Sequence, residues 1–166
     1  VADSDRDTEF TDYMAARSPW LRKVAFLLCQ DWHRADDLVQ TSLTRLYVHW
    51  HRVSRVDNID GYARTVLVNV YLAEQRTAWW KRVTLHRESD DAAVLEFDLD
   101  LAVDLRTALA ALPPRQRAAI VLRYYCDMSV DEVAALLRCA PGTVKSQTSR
   151  ALDAMRHALG PRPVNL

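Results

Sequence analysis

Apolar residues recur at three- and four-residue spacing along most of the chain, which predicts helices almost throughout. Phe10, Tyr13, Met14 and Arg17 mark a first helical face. Ser18-Pro19 supplies an N-cap and a first-position proline, so a second helix is expected from there to about Cys29. Asp31 is placed to cap a third, whose apolar stripe is Leu38, Val39, Leu43, Leu46, Tyr47 and Trp50. Residues Arg52 to Asp60 read as a loop. Between Val66 and Leu72 the alternation also suits a strand, but Ile59, Tyr62, Val66, Asn69, Val70 and Ala73 share a helical face. Length and the flanking Ala63 and Ala73 favour a helix to about Trp80.

The C-terminal part predicts four shorter helices: Leu101–Leu112, stopped by Pro113-Pro114, then Pro114–Cys126, Ser129–Leu137 and Pro141–Leu159. Ser129 with Glu132 three residues on is a capping box, and Pro141 opens the last helix. Two helices separated by a short turn, the second longer and basic on one face, form a helix-turn-helix pattern.

Charge divides the chain although its 22 basic and 22 acidic residues cancel. Arg64, Arg76, Lys81, Arg82 and Arg87 are opposed only by Glu74. From Glu88 to Asp104 there are seven acids and no base, a block that marks a solvated connector. The expected architecture is therefore all-α: a first helical domain over 1–87, an acidic linker over 88–102 and a helix-turn-helix domain over 103–166.

Composition removes other classes. With 49% hydrophobic and 27% charged residues the chain can build a core. No apolar run approaches 18 residues, so no membrane-spanning helix is expected, and the acidic start does not read as a secretory signal. Three distant cysteines (Cys29, Cys126 and Cys139) make neither a disulfide framework nor a zinc knuckle, and fit a reducing cytoplasm. Glycines at 61, 142 and 160 only leave no phosphate-cradling loop.

Among the remaining polar groups, the last helix carries the strongest signal. Lys145, Ser146, Ser149 and Arg150 share one face while Val144 and Ala151 turn inward, as a DNA-reading helix requires, although an ordinary amphipathic helix also has a polar exterior. Asp36 and Asp37 fall at a helix start, where the dipole tolerates acids. A magnesium site there would need carboxylates on a facing helix, and the Gly61–Trp80 stretch offers only Glu74. No cofactor is expected. Trp79-Trp80-Lys81-Arg82 suits either stacking on unpaired bases or an ordinary helix end, and Asn69 either a core amide or a base-reading one. His49 and His51 have no convergent ligands and read as surface residues.

Together these segments resemble the extracytoplasmic-function sigma factors, the minimal two-domain class of bacterial RNA polymerase specificity subunit, with the Trp79–Arg82 tail similar to an actinobacterial branch. Ala35-Asp36-Asp37-Leu38-Val39-Gln40 resembles the polymerase-clamp-binding helix, and Asp60-Gly61-Tyr62-Ala63-Arg64 through Arg76 the −10-reading helix. Leu109 to Arg117 and Pro141 to Ser146 resemble the −35-binding domain. The resemblance implies partners: core polymerase through its β′ clamp helices and β flap, promoter DNA, and an anti-sigma factor as a further candidate. Asp36, Asp37, Leu38 and Gln40 would face the clamp. His49, Val53 and Asn69 would line a pocket for a flipped −10 base, with Arg76, Lys81 and Arg82 alongside. Thr143, Lys145, Ser146, Ser149 and Arg150 would enter the −35 major groove, with Arg123 on a phosphate.

Three positions depart from the family pattern: Thr41 in place of a glutamate, Ala140 in place of a helix-capping serine, and Gln147 in place of an arginine. The implied function is promoter recognition and opening on behalf of polymerase, in the cytoplasm and without catalysis. A stand-alone helix-turn-helix regulator would explain the C-terminal domain but leave Asp36–Gln40 and Gly61–Arg82 without a role. A helical metal-dependent phosphohydrolase lacks the carboxylates.

Overall fold

The computed structural model describes residues 2–85 and 103–160, the side chains of 82–85 and 103 excepted. The chain divides into two compact units, Val1–Ala93 and Val94–Leu166, and the described elements of both are helical. The acidic connector predicted at 88–102 lies outside the described residues.

The first unit comprises α1 (Ala2–Cys29), α2 (Trp32–Val48), α3 (Trp50–Val53) and α4 (Ile59–Leu85). Helices α1, α2 and α4 pack pairwise around a core that includes Leu21, Val24, Phe26, Leu28, Leu38, Leu46, Leu67, Val68 and Tyr71. The helix break expected at Ser18-Pro19 is absent. Ser18 Oγ instead donates to the Met14 carbonyl at 2.6 Å, a bond back into the preceding turn. Pro19 removes one backbone donor to Ala15, which lies on the exposed side where water can satisfy the freed carbonyl.

Gln30 ends α1 in the left-handed conformation (φ 60°), and Asp31 then caps α2, accepting from the His33 and Arg34 amides at 2.8 and 3.1 Å. This start places Asp36 and Asp37 beyond the first turn, which holds no acid, so the dipole argument for them fails. The stripe expected to run on to Trp50 is interrupted at His49 (φ −106°, ψ 12°), after which Trp50–Val53 forms a short helix whose last two residues fall in the loop expected from Arg52. Trp50 explains the interruption: it is 1% exposed, with the Phe10 and Tyr13 rings each 5.2 Å away. Burying it fixes the turn. The ambiguous 66–72 stretch is helical within α4.

In the second unit α5 (Val103–Ala110), α6 (Pro114–Ile120), α7 (Val130–Leu137) and α8 (Pro141–Leu159) pack with α8 against α5, α6 and α7. The predicted Pro114–Cys126 helix is α-helical only to Ile120. Val121–Tyr125 widens to a π-turn, in which Cys126 N–H donates to the Val121 carbonyl at 3.0 Å.

The capping box is present: Ser129 and Glu132 exchange bonds of 2.7 and 3.1 Å. Arg138 in the left-handed region (φ 55°, ψ 49°) closes α7 and begins the turn into α8. No helix among the described residues is long and apolar enough to cross a membrane.

Candidate nucleic-acid interface

Helix α8 presents the residues expected at the −35 element on one surface. Val144 and Ala151 are fully buried, while Thr143, Lys145, Ser146, Ser149 and Arg150 are all exposed. Ala140 stands at the N-cap of α8 and its side chain caps nothing, and a Cβ added to Gly142 would meet no atom within 4 Å. The first turn of α8 is therefore open to a close-approaching partner.

Other arginines of this unit hold the fold. Arg117 donates to the carbonyls of Leu109, Ala110 and Leu112 at 3.0, 2.7 and 2.8 Å, closing the end of α5, and Arg115 donates to the Leu137 carbonyl at 2.9 Å. Arg123, expected on a phosphate, donates through Nη1 to the Met128 carbonyl and thereby holds the turn into α7. It is half-buried, so its structural bond leaves part of the guanidinium accessible. Beside it Tyr124 and Tyr125 are exposed, a surface that the sequence reading passed over although the Arg-Tyr-Tyr run at a helix end signalled it.

In the first unit the −10 candidates come from three elements: the α2–α3 turn, α3 and α4. Val53 is 2% exposed and belongs to the core, so it cannot stack on a base in this conformation. His49 is exposed at the turn between α2 and α3, its Nδ1 3.2 Å from Arg52 Nη2. Asn69 is half-buried on α4, and Arg76 and Lys81 are exposed further along the same helix. At 1.5 Å per residue Lys81 lies about 18 Å beyond Asn69. Asn69, Arg76 and Lys81 are thus spread along α4. The Arg82 side chain lies outside the described residues.

The segment joining α3 to α4 is positioned by two devices. Asn58 Oδ1 accepts from the Gly61 amide at 2.8 Å. Asp60 accepts from the Tyr13 hydroxyl at 3.0 Å and pairs with Arg17 at 2.9 Å, tying the start of α4 to α1. Burial, then the Asp60 hydrogen bond and charge, raise the Tyr13 phenol well above its ordinary value. Burial likewise pushes the Cys29 thiol up to about 11, making it a packing group rather than a nucleophile.

The clamp candidates also separate. Leu38 is fully buried and forms core. The Asp36 carboxylate is held by Arg22, with Nε–Oδ1 at 2.6 Å and Nη2–Oδ2 at 3.3 Å, while that guanidinium stacks 4.1 Å over Trp32. Asp37 and Gln40 are exposed. Gln40 borders a groove of about 570 Å³ between α1 and α2, with Phe10, Met14 and Leu43 as apolar lining. Tyr47 closes one side of it by donating to Asp7 at 2.7 Å. The sequence reading missed this groove, which depends on residues about 30 positions apart.

Comparison with known proteins gives this geometry its context. The Sigma-70 region 2 family model matches residues 14–81 and the Sigma-70 region 4 model matches residues 102–155, one in each unit. The chain is 36% identical to RNA polymerase sigma-E factor of Streptomyces coelicolor, covering 95% of this chain and 89% of that protein. It is 33% identical to the ECF RNA polymerase sigma factor EcfG of Rhodopseudomonas palustris, covering 91% and 82%. The chain belongs to the extracytoplasmic-function sigma factors.

Its fold agrees. Sigma factor RpoE of Bartonella quintana, solved in complex with the anti-sigma factor NepR, superposes with a TM-score of 0.76 at 28% identity, covering 91% of this sigma factor and 96% of that chain. The region 2 match takes in α2, α3 and the exposed track of α4, and the region 4 match takes in α7 and most of α8.

Proposed function

We propose that this sigma factor brings core RNA polymerase to promoters with −10 and −35 elements and assists strand opening there. The observation that carries it is the pairing of the two family matches with two separate folding units, the second of which turns a polar, basic helix face to solvent. Thr143, Lys145, Ser146, Ser149 and Arg150 read the −35 major groove, where Lys and Arg pair with guanine edges and phosphates. His49, Asn69, Arg76 and Lys81 face the −10 region. An amide such as Asn69 can donate to and accept from the edge of an extruded base.

Asp37 and Gln40, with the adjoining groove, meet the β′ clamp helices, and the second unit also meets the β flap. Polymerase supplies the chemistry, so the sigma factor is not a catalyst and acts in the cytoplasm. The Bartonella structure supports an anti-sigma factor as a further partner. A stand-alone operator-binding regulator would leave the region 2 match without a role.

The test is run-off transcription of a genomic library with core polymerase. Discrete transcripts that require the sigma factor, initiating downstream of a shared pair of elements, are expected. No sigma-dependent transcript would contradict the proposal.

A further inference from the structure

The turn between α2 and α3 holds one histidine in a fixed state. The backbone of His49 is tied on both sides. Its N–H donates to the Leu46 carbonyl at 3.2 Å, and its own carbonyl accepts from the Arg52 and Val53 amides at 2.9 and 3.0 Å. Trp50, which follows directly, is buried against Phe10 and pins the turn to the core. The ring is tied as well, because Arg52 Nη2 donates to His49 Nδ1 at 3.2 Å. Among the described residues no such tie holds the neighbouring His51, which is exposed.

This side-chain pair gains no ion-pair energy. From His49 to Val56 the sequence has the cations Arg52 and Arg55 and no acid, and no carboxylate among the described residues pairs with Arg52. Holding a long exposed side chain against a neutral ring costs rotamer entropy. What the contact does supply is a single hydrogen-bonding state. A guanidinium carries only donors, so the Nδ1 that it meets must present a lone pair. The proton of the neutral imidazole then sits on Nε2. His49 is exposed, and its Nε2 has no partner among the described residues, so one nitrogen, a donor only, is left for an outside group.

We propose that Arg52 is a positioning residue that sets His49 to read a hydrogen-bond acceptor, a ring nitrogen or carbonyl oxygen, on a base of the opened −10 element. This inference rests on His49 facing that element. A donor-only nitrogen rewards an acceptor and opposes a base amino group. An amide such as Asn69 has a donor and an acceptor side and can turn over, so it leaves open a choice that His49 closes.

The first test reads the tautomer in the free sigma factor with 15N-labelled histidine, at about pH 8, where an ordinary imidazole is neutral. A long-range 1H–15N spectrum, its His49 signals assigned by their loss in His49→Gln, should show Nε2 protonated and Nδ1 bare. Arg52→Ala should give signals averaged between the two tautomers, and Arg52→Lys, which also donates, should keep the wild-type ones. Averaged signals in the wild type would overturn the role of Arg52.

The second test is transcription by holoenzyme from a promoter recovered by run-off, with its −10 element randomised. His49→Ala should flatten the base preference at one position about two- to tenfold, the worth of one neutral hydrogen bond. Arg52→Ala should flatten the same position by a similar factor, and the double variant no more than either. Arg52→Lys should restore the preference, and His51→Ala should leave it as in wild type. Replacing the accepting atom of the preferred base by C–H should cost the wild type that same factor and cost His49→Ala nothing.

A uniform loss over all sequences in Arg52→Ala, with the His49 preference intact, would make Arg52 a phosphate contact and overturn the proposal. If Asn69→Ala changes a −10 preference and His49→Ala changes none, the proposal fails while −10 reading by α4 stands. If neither variant changes any −10 preference, both fail.

Discussion

The two units hold their helices by different means. In the first, the ties join residues far apart in sequence: Tyr13 and Arg17 to Asp60, Tyr47 to Asp7, Arg22 to Asp36, and the Phe10 and Tyr13 rings to Trp50. In the second, most of these bonds close nearby backbone, Arg117 onto the end of α5, Arg123 onto Met128 and Ser129 onto Glu132, with Arg115 to the Leu137 carbonyl the longer tie. The first unit places its functional groups by tertiary packing, so they scatter over a turn and a 27-residue helix. The second places them by helix periodicity, on consecutive turns of α8. A partner-facing surface can therefore be edited residue by residue in α8, whereas in the first unit a change at the surface and a change in the core are easily confused.

The strongest way to break this comparison is Trp50→Ala. Loss of a fully buried indole should cost about 3–5 kcal/mol and loosen the α2–α3 turn that presents His49. Calorimetry should show one thermal transition falling while the transition of the second unit stays in place. Movement of both together would mean that the units do not fold separately.

Next in size are Lys145→Ala and Arg150→Ala. Each should weaken promoter binding by holoenzyme by about 1–3 kcal/mol where it removes a base contact, with thermal stability unchanged because both are exposed. Footprints in which the double variant protects the −35 region normally would remove these residues from the interface.

Stability of the recognition helix offers a smaller, opposite effect. Ala140 already has the extended backbone of an N-cap (φ −71°, ψ 149°) and lacks only the oxygen. Ala140→Ser should stabilise the second unit by about 0.5–2 kcal/mol, read as a raised Tm. No change would mean that water already satisfies the first amides of α8.

The smallest effect sharpens the roles of the two acids. Arg22 and Asp36 are each nearly half exposed, so Asp36→Asn should change stability by about 0–1 kcal/mol. It should lower affinity for core polymerase less than Asp37→Asn does, because the Asp36 charge is already paired within the unit. The reverse order in a pull-down titration would show that polymerase displaces Arg22.

How far this architecture is legible in the sequence follows from the same contrast. The all-α class, the Asp31 cap, the Ser129–Glu132 box, the Pro141 start and the outward face of α8 are all written in spacings of a few residues, and the structure has them. Ser18-Pro19 misled because local chemistry offers a cap and a helix interior equally, and the choice between them falls to the packing of α1 against α2 and α4. Val53 and Leu38 matched the family's site positions by register, but register does not tell which way a side chain points. Val53 follows the buried Trp50 by three residues and shares its inward face. Arg123 was legible as a cation but not as a donor to Met128, since nothing in its neighbourhood foretold the π-turn. The groove beside Gln40 was beyond reach because its two walls belong to helices that meet only in the folded unit.

The central claim is that the two surfaces act on DNA only as part of holoenzyme. Affinity for duplex DNA rests on counterion release and scales with the phosphates neutralised. The chain carries no net charge, and several of its cations hold carbonyls or carboxylates. Two weak contacts gain when a third body fixes their spacing, since the second becomes intramolecular. The decisive measurement is a fluorescence-anisotropy titration of a promoter duplex at about 150 mM salt, with and without core polymerase. Micromolar or weaker binding by the free sigma factor, converted to tight sequence-specific binding by core enzyme, is the expected result. Nanomolar, sequence-specific binding by the free chain would contradict it.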